Sequence, residues 1–309
     1  MYALLYNPEA RGTNLLQKEL LIEETKRRNG KIFSLHQPDS VIPVLQQVQM
    51  EGIQNIVLAG GDGTIRNFAT QIKNHGNGIA NDLFIFPLPS GTINLMAPLI
   101  TGFHGPPISF LKRFDPSMMK KKIIRPILLK QAEHEWVGFS MIFGAVARVI
   151  EHIYDKDHTA GKAIGNFFTG VFAGFTGFPR SYAQHYEKMG VSLKIDGKEM
   201  RHTQTMGVFL SVFSGLIFGL NPFPEYPGKI KVLSYDLHPR EVVWPPNMWR
   251  IFTGQIDTGD PRYINTGCDQ VEITTAEQYL NIDGNTCHID PNIPLTAKSG
   301  PMLTFFSNR

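Results

Sequence analysis

Gly60-Gly61-Asp62-Gly63-Thr64 holds the residue types and spacing best suited to chemistry in this chain. It follows the apolar run Ile56-Val57-Leu58-Ala59 and precedes a helical pattern over residues 65–73, so it reads as strand, glycine turn and helix start. Glycines lack Cβ atoms and let backbone N–H groups approach a polyphosphate, while the helix N-terminus adds donors and a dipole that favours anions. A carboxylate planted there repels phosphate unless a divalent cation or a transferable proton lies between them. Asp62 is therefore a metal ligand or a partner in proton transfer, unless the segment is only an Asp-Gly tight turn. A second unit favours chemistry. Leu83-Phe84-Ile85-Phe86 is again strand-like and leads into Pro87-Leu88-Pro89-Ser90-Gly91-Thr92-Ile93-Asn94, where Gly91 and Thr92 offer N–H and hydroxyl donors. Two glycine turns after successive strands can converge on one ligand.

The elements that must position these turns alternate strand with helix, as a parallel α/β sheet requires. Residues 2–6 are a strand, 15–28 a helix with apolar spacing at Leu16, Leu20 and Leu21, and 31–35 a second strand. Residues 41–50 form a second helix with Val44, Leu45 and Val48 on one face. Ligands of such sheets lie beyond the carboxyl ends of the strands, where Asn7, Asp62 and Thr92 fall. After Lys120-Lys121-Lys122 the texture changes. Residues 123–130, 135–143, 191–195, 206–213, 229–235 and 271–275 are strand-like, and helical signal is confined to about 145–178. Short strands separated by turns such as Asp196-Gly197 suggest an antiparallel sandwich, and the domain boundary is placed near residue 122.

Composition bounds the rest. A chain of 309 residues fits about two domains, and 42% hydrophobic with 18% charged residues excludes a disordered chain. A net charge of +3 is too small to imply nucleic acid, and the basic run Lys120-Lys121-Lys122 with Arg125 reads first as a solvated link, with a membrane-facing role as the second reading. Cys268 and Cys287 lack metal-site spacing and fit free thiols in a reducing cytosol. No signal peptide is read at the N-terminus, which enters a strand at once. Residues 203–224 carry no charge and approach spanning length. Gln204, Ser211, Ser214, Asn221 and the prolines Pro222 and Pro224 favour two buried strands instead. Residues 167–178 set five phenylalanines among glycines, either a glycine-loosened core helix or the lining of an acyl pocket.

The combination of Asn7-Pro8, GGDGT at 60–64, PSGTIN at 89–94 and Asp283-Gly284 resembles the diacylglycerol kinase catalytic family, over nearly the whole chain. GGDGT alone is shared with NAD kinases and phosphofructokinases; the SGTxN segment narrows the resemblance. It implies an α/β N-terminal nucleotide-binding domain with a parallel sheet over 1–122, to which 295–309 return, and a mainly antiparallel β-sandwich lipid-substrate domain over 123–294. It further implies ATP and Mg2+, with Asn7, Pro8, Gly60, Gly61, Asp62, Gly63, Thr64, Gly91, Thr92 and Asn94 around the nucleotide. Asp62 would act through magnesium or in the proton relay, and Asp283 would approach the acceptor hydroxyl. The implied partner is a lipid substrate such as diacylglycerol or a sphingoid base, at a cytoplasmic location with peripheral membrane contact left open and oligomeric state unassigned.

Three departures mark this chain. Asn285 stands where the family carries glutamate, and an amide takes no proton near neutral pH. Pro227-Gly228 stands where the family carries Asp-Gly at a structural magnesium site. His36-Gln37 replaces a threonine that ends the second strand. An active lipid kinase, a catalytically weak lipid- or nucleotide-binding homologue and a small-molecule kinase of the NAD type therefore all stay open, the last disfavoured by SGTxN.

Overall fold

The computed structural model describes residues 1–9, 15–75, 82–91, 94, 96–156, 184–201, 203–215, 221–223, 225–226, 229–238, 240–241, 244–255 and 259–308. The chain forms two compact units, Met1–Pro126 with Gly300–Arg309, and Ile127–Ser299.

Unit 1 is an α/β domain. Its strands are β1 (Tyr2–Tyr6), β2 (Lys31–Ser34), β3 (Asn55–Gly60), β4 (Phe84–Pro89), β5 (Lys120–Ile124) and the chain's last strand, β19 (Leu303–Ser307). They lie in the order β2-β1-β3-β4-β19-β5, all parallel except the edge strand β5. The helices are α1 (Leu15–Arg27), α2 (Val41–Met50), α3 (Asp62–His75), α4 (Met96–Thr101) and α5 (Pro107–Arg113). On one face Leu4, Val57, Phe86 and Leu88 pack with Leu21 of α1 and Phe110 of α5, and the Phe86 and Phe114 rings stack at 4.9 Å. Burial of such aromatic and branched side chains is the main drive for this layer.

Two sequence expectations change here. Leu16 and Leu20 are exposed, at 63% and 39%, and α1 docks through buried Leu21 and Thr25, so its buried stripe is narrow. β4 continues through Pro87 and Pro89, residues expected to open the turn. A central strand tolerates them because of strand alternation. The N–H groups of Phe84 and Ser90 donate to Gln54 and Gly60 on the β3 side. Pro87 and Pro89 alternate with these, so their missing donors fall on the other edge, where β19 pairs only with Phe84 and Ile85.

Unit 2 is built from two antiparallel sheets. One contains β6 (Ile127–Gln131), β7 (His134–Gly138), β9 (Met189–Ile195), β10 (Lys198–Glu199), β11 (Gln204–Thr205), β15 (Gln270–Thr275) and β18 (Leu295–Ser299). The other contains β8 (Ser140–Gly144), β12 (Gly207–Ser211), β13 (Ile230–Tyr235), β14 (Tyr263–Cys268), β16 (Tyr279–Ile282) and β17 (Asn285–His288). Alternate residues of both sheets, among them Leu129, Phe143, Leu193, Val208, Val232, Ile273 and Leu280, form one buried core, which makes the unit a sandwich. α6 (Ala145–Lys156) and α7 (Pro245–Thr253) complete the described elements; α7 docks through Ile251 beside Leu233 and Leu237.

The runs read as single strands over 123–130 and 135–143 are each two strands in different sheets. Pro126 ends the first. In the second, Phe139 and Ser140 give their N–H groups to the Asp283 carboxylate instead of continuing the strand. The basic run is strand rather than solvated link, since Lys120–Ile124 pairs along β19. The chain divides at Pro126 and Gly300 instead of 122 and 295, because β5 belongs to the first sheet while β18 pairs with β6 and β15. Among the described residues no helix is long and apolar enough to cross a membrane.

Candidate active site

The two glycine turns of unit 1 touch. A Cβ built on Gly61 would lie 2.9 Å from Gly91 Cα, and one built on Gly91 would lie 2.4 Å from Gly61 Cα. Real Cβ atoms do not approach backbone so closely, so this contact needs glycine on both sides. Gly61 also starts α3: its carbonyl accepts the N–H groups of Thr64 and Ile65 at 2.9 and 3.2 Å. A capping side chain such as Ser or Asp has no room at that position, and the helix begins instead with Asp62, an acid at the positive end of the dipole.

Asp62 joins the turns. Its Oδ1 accepts the N–H of Met96, the first residue of α4, at 2.9 Å, a charge-assisted bond that ties the GGDGT turn to the segment after β4. Ser90 N–H donates to Gly60 carbonyl at 2.9 Å, closing the two strands onto each other just before the turns. Asn94 stands in the left-handed region at φ 55, where asparagine is among the few side chains readily accepted. Its amide brackets Gly91, with Oδ1 accepting the Gly91 N–H and Nδ2 donating to the Gly91 carbonyl.

Asn7 completes the rim. Its N–H bonds the Ala59 carbonyl at 3.0 Å, its Nδ2 donates to Thr64 Oγ1 at 3.3 Å and its Oδ1 accepts the Glu9 N–H at 2.8 Å. Pro8 follows, and its carbonyl accepts the Lys18 ammonium. Sequence reasoning missed Lys18 because α1 shows only its helical period, not that position 18 reaches back over the Asn7 loop. Gly63 differs from the other motif glycines: it is exposed and nothing lies within 4 Å of a Cβ built on it. No intramolecular contact requires glycine there, whereas close approach of a ligand to the α3 N-terminus would. Beside the Asn7 loop a small cavity of about 10 Å³ lies among Leu4, Tyr6, Asn7, Lys18, Leu21 and Ser90, room for about one water.

The structure thus brings Asn7, Pro8, Gly60, Gly61, Asp62, Gly63, Thr64, Gly91 and Asn94 to one end of the parallel sheet. Thr92 lies outside the described residues, as do Pro227-Gly228 and residues 167–178. His36 and Gln37, just past β2, are exposed. Among the described residues no group of three His, Cys, Asp or Glu side chains could hold a metal ion. A magnesium ion here would rest on Asp62 with phosphate and water oxygens, a donor set that suits it.

Asp283 and Asn285 belong to unit 2. Asp283 and Gly284 form the two-residue loop between β16 and β17, with φ of 50 and 87 and Ile282 opposite Asn285. These are the positive values of a type I′ hairpin, for which Asp-Gly is preferred. The Asp283 carboxylate accepts the Phe139 N–H at 3.0 Å, the Ser140 N–H at 2.8 Å and the Ser140 hydroxyl at 3.1 Å. Asn285 is exposed.

Comparison with known proteins fits this geometry. Residues 1–114 match the diacylglycerol kinase catalytic domain. The resemblance read from Asn7-Pro8, GGDGT and PSGTIN is therefore borne out, and the diacylglycerol kinase-like domain holds both glycine turns. No curated protein matches the chain. Among solved structures, a diacylglycerol kinase from Bacillus anthracis has a TM-score of 0.64 at 13% identity, covering 98% of this chain and 96% of that one. An NAD kinase from Archaeoglobus fulgidus, solved in complex with ATP, has a TM-score of 0.53 at 15% identity, covering 100% of this chain and 94% of its own. These likenesses establish the fold: an α/β kinase-like unit followed by antiparallel sheets.

Proposed function

We propose that the protein is an ATP-dependent phosphotransferase whose acceptor is the hydroxyl of a lipid, diacylglycerol or a sphingoid base being the representative alcohols. The observation that carries the reading is the contact of Gly61 with Gly91 under the Asp62–Met96 bond, which merges two turns into one anion-facing rim. Phosphoryl transfer asks little covalent chemistry of a protein; it asks for phosphates held in line and for compensation of their charge. The α3 N-terminus with Gly63 at its mouth supplies backbone donors, Asn7 and Asn94 fix the loops around it, and Lys18 adds positive charge beside the Asn7 loop. Asp62 would hold magnesium, which would supply compensation for the phosphate charge. The family match to residues 1–114 supports the kinase class, and the lipid acceptor rests on the same family.

Proton acceptance falls to Asp62 or Asp283 in this reading. A specific observation favours a second one, a catalytically weak homologue that binds lipid or nucleotide: the Asp283 carboxylate is taken up by backbone donors, and its neighbour is the amide Asn285. Transfer of label from γ-labelled ATP to a panel of lipid alcohols in mixed micelles, with and without magnesium, separates the two. Labelled lipid that requires magnesium supports the kinase. Binding of nucleotide or lipid with no transfer to any alcohol supports the weak homologue, and absence of nucleotide binding rejects the kinase.

A further inference from the structure

We propose that an exposed basic edge of unit 1, running from the end of α5 through β5, docks the protein onto the surface of an anionic lipid bilayer. Residues 112–125 carry Lys112, Arg113, Lys120, Lys121, Lys122 and Arg125, all exposed, against the single carboxylate of Asp115. That local surplus exceeds the +3 of the entire chain, so the remaining residues are net acidic and the positive field gathers at one place. Asp115 turns its carboxylate to Ser117, accepting the N–H at 3.0 Å and the hydroxyl at 2.7 Å. β5 ends the sheet, with β19 alone beside it.

Cations alone suit any polyanion. Here two large apolar side chains stand among them, Met118 at 82% and Ile123 at 59% exposure. A bilayer accommodates both features, since headgroups attract the ammonium and guanidinium groups while the headgroup–acyl boundary takes apolar tips. Single-stranded nucleic acid would call for exposed rings on which bases stack, and the aromatic residue of this segment, Phe114, is fully buried. A lysine-bearing edge strand also has a plainer use, preventing pairing with another chain. That use explains neither the cations outside the strand, Lys112, Arg113 and Arg125, nor the exposed Met118 and Ile123, which are a liability on a merely protective edge.

Docking of this kind does not depend on phosphoryl transfer, so it is measured by co-sedimentation of the full chain with vesicles, without nucleotide. The probes are vesicles of equal phosphatidylglycerol and phosphatidylcholine, and vesicles of phosphatidylcholine alone. Binding to the anionic vesicles is expected, falling as salt rises from about 0.1 to 0.5 M, with little binding to the neutral ones. Lys120→Glu with Arg125→Glu should weaken the partition by more than about tenfold, with far-UV circular dichroism and the thermal midpoint unchanged. The neutral pair Lys120→Gln with Arg125→Gln gives a smaller loss in the same direction and serves if the reversals unfold the protein. Equal binding to both vesicle types, indifference to the substitutions, or binding to a DNA duplex in place of vesicles would each overturn the proposal.

Discussion

Asp283 shows how one side chain can satisfy two descriptions. Its place before Gly284 reads as half of a catalytic signature, yet the structure gives it a complete mechanical role: it closes a type I′ turn and holds Phe139 and Ser140 at the point where the chain changes sheet. An amide at 283 keeps one acceptor but turns an NH2 group toward a backbone N–H. Asp283→Asn should therefore cost about 1–3 kcal/mol in urea unfolding whatever it does to turnover. Asn285→Glu, at an exposed hairpin position, should stay within about 0.5 kcal/mol of wild type. Measuring turnover of both variants at a temperature where each is folded separates the mechanical role from a proton-accepting one. Indifference of stability to Asp283→Asn would show that the clamp is not what fixes this corner.

At the scale of elements, burial decides what period alone does not. Leu21→Ala should cost about 2–5 kcal/mol, the usual loss for a fully buried leucine, whereas Leu16→Ala should change the unfolding free energy little, although both sit on one apparent apolar face of α1. Equal costs would mean that α1 docks differently. Beside α6, Glu277 is nearly buried, 3.4 Å from Arg148, and burial pushes its carboxyl above the ordinary 4.5, with Arg148 pulling the other way. A carboxyl whose folded value is raised binds its proton more tightly in the native state. Its stabilising contribution is full below 4.5 and is lost as pH rises through the raised value. Glu277→Gln should flatten the fall in thermal midpoint above about pH 4.5; a parallel fall in the variant would assign the pH dependence to other groups.

The glycine turns were legible because each follows an apolar run that is a strand for its own local reasons. The strand breaks at Pro126 and Phe139 were not, since an apolar run carries no mark of which sheet receives it. Of β16, β17 and β18 only the Asp-Gly turn gave a local signal, and it was read as chemistry. α7 was hidden by its prolines, which in the structure occupy the first turn, where a missing N–H costs nothing.

For the whole molecule, unit 1 holds the rim of two joined glycine turns, and unit 2 is a sandwich whose larger core the first domain's family match does not cover. The central claim is that the rim binds a polyphosphate at Gly63, the motif glycine that nothing inside the protein requires. Gly63→Val tests it more cleanly than a change at Gly61, whose Cβ would strike Gly91 and disturb the fold itself. Titration calorimetry of magnesium-ATP into wild type and Gly63→Val is the direct measurement, with thermal unfolding of both as the control. Wild type should bind, and the variant should bind at least about tenfold more weakly, a difference of about 1.4 kcal/mol, with its midpoint retained. Equal affinity in the two proteins would contradict the account, because the nucleotide would then lie somewhere other than the mouth of α3.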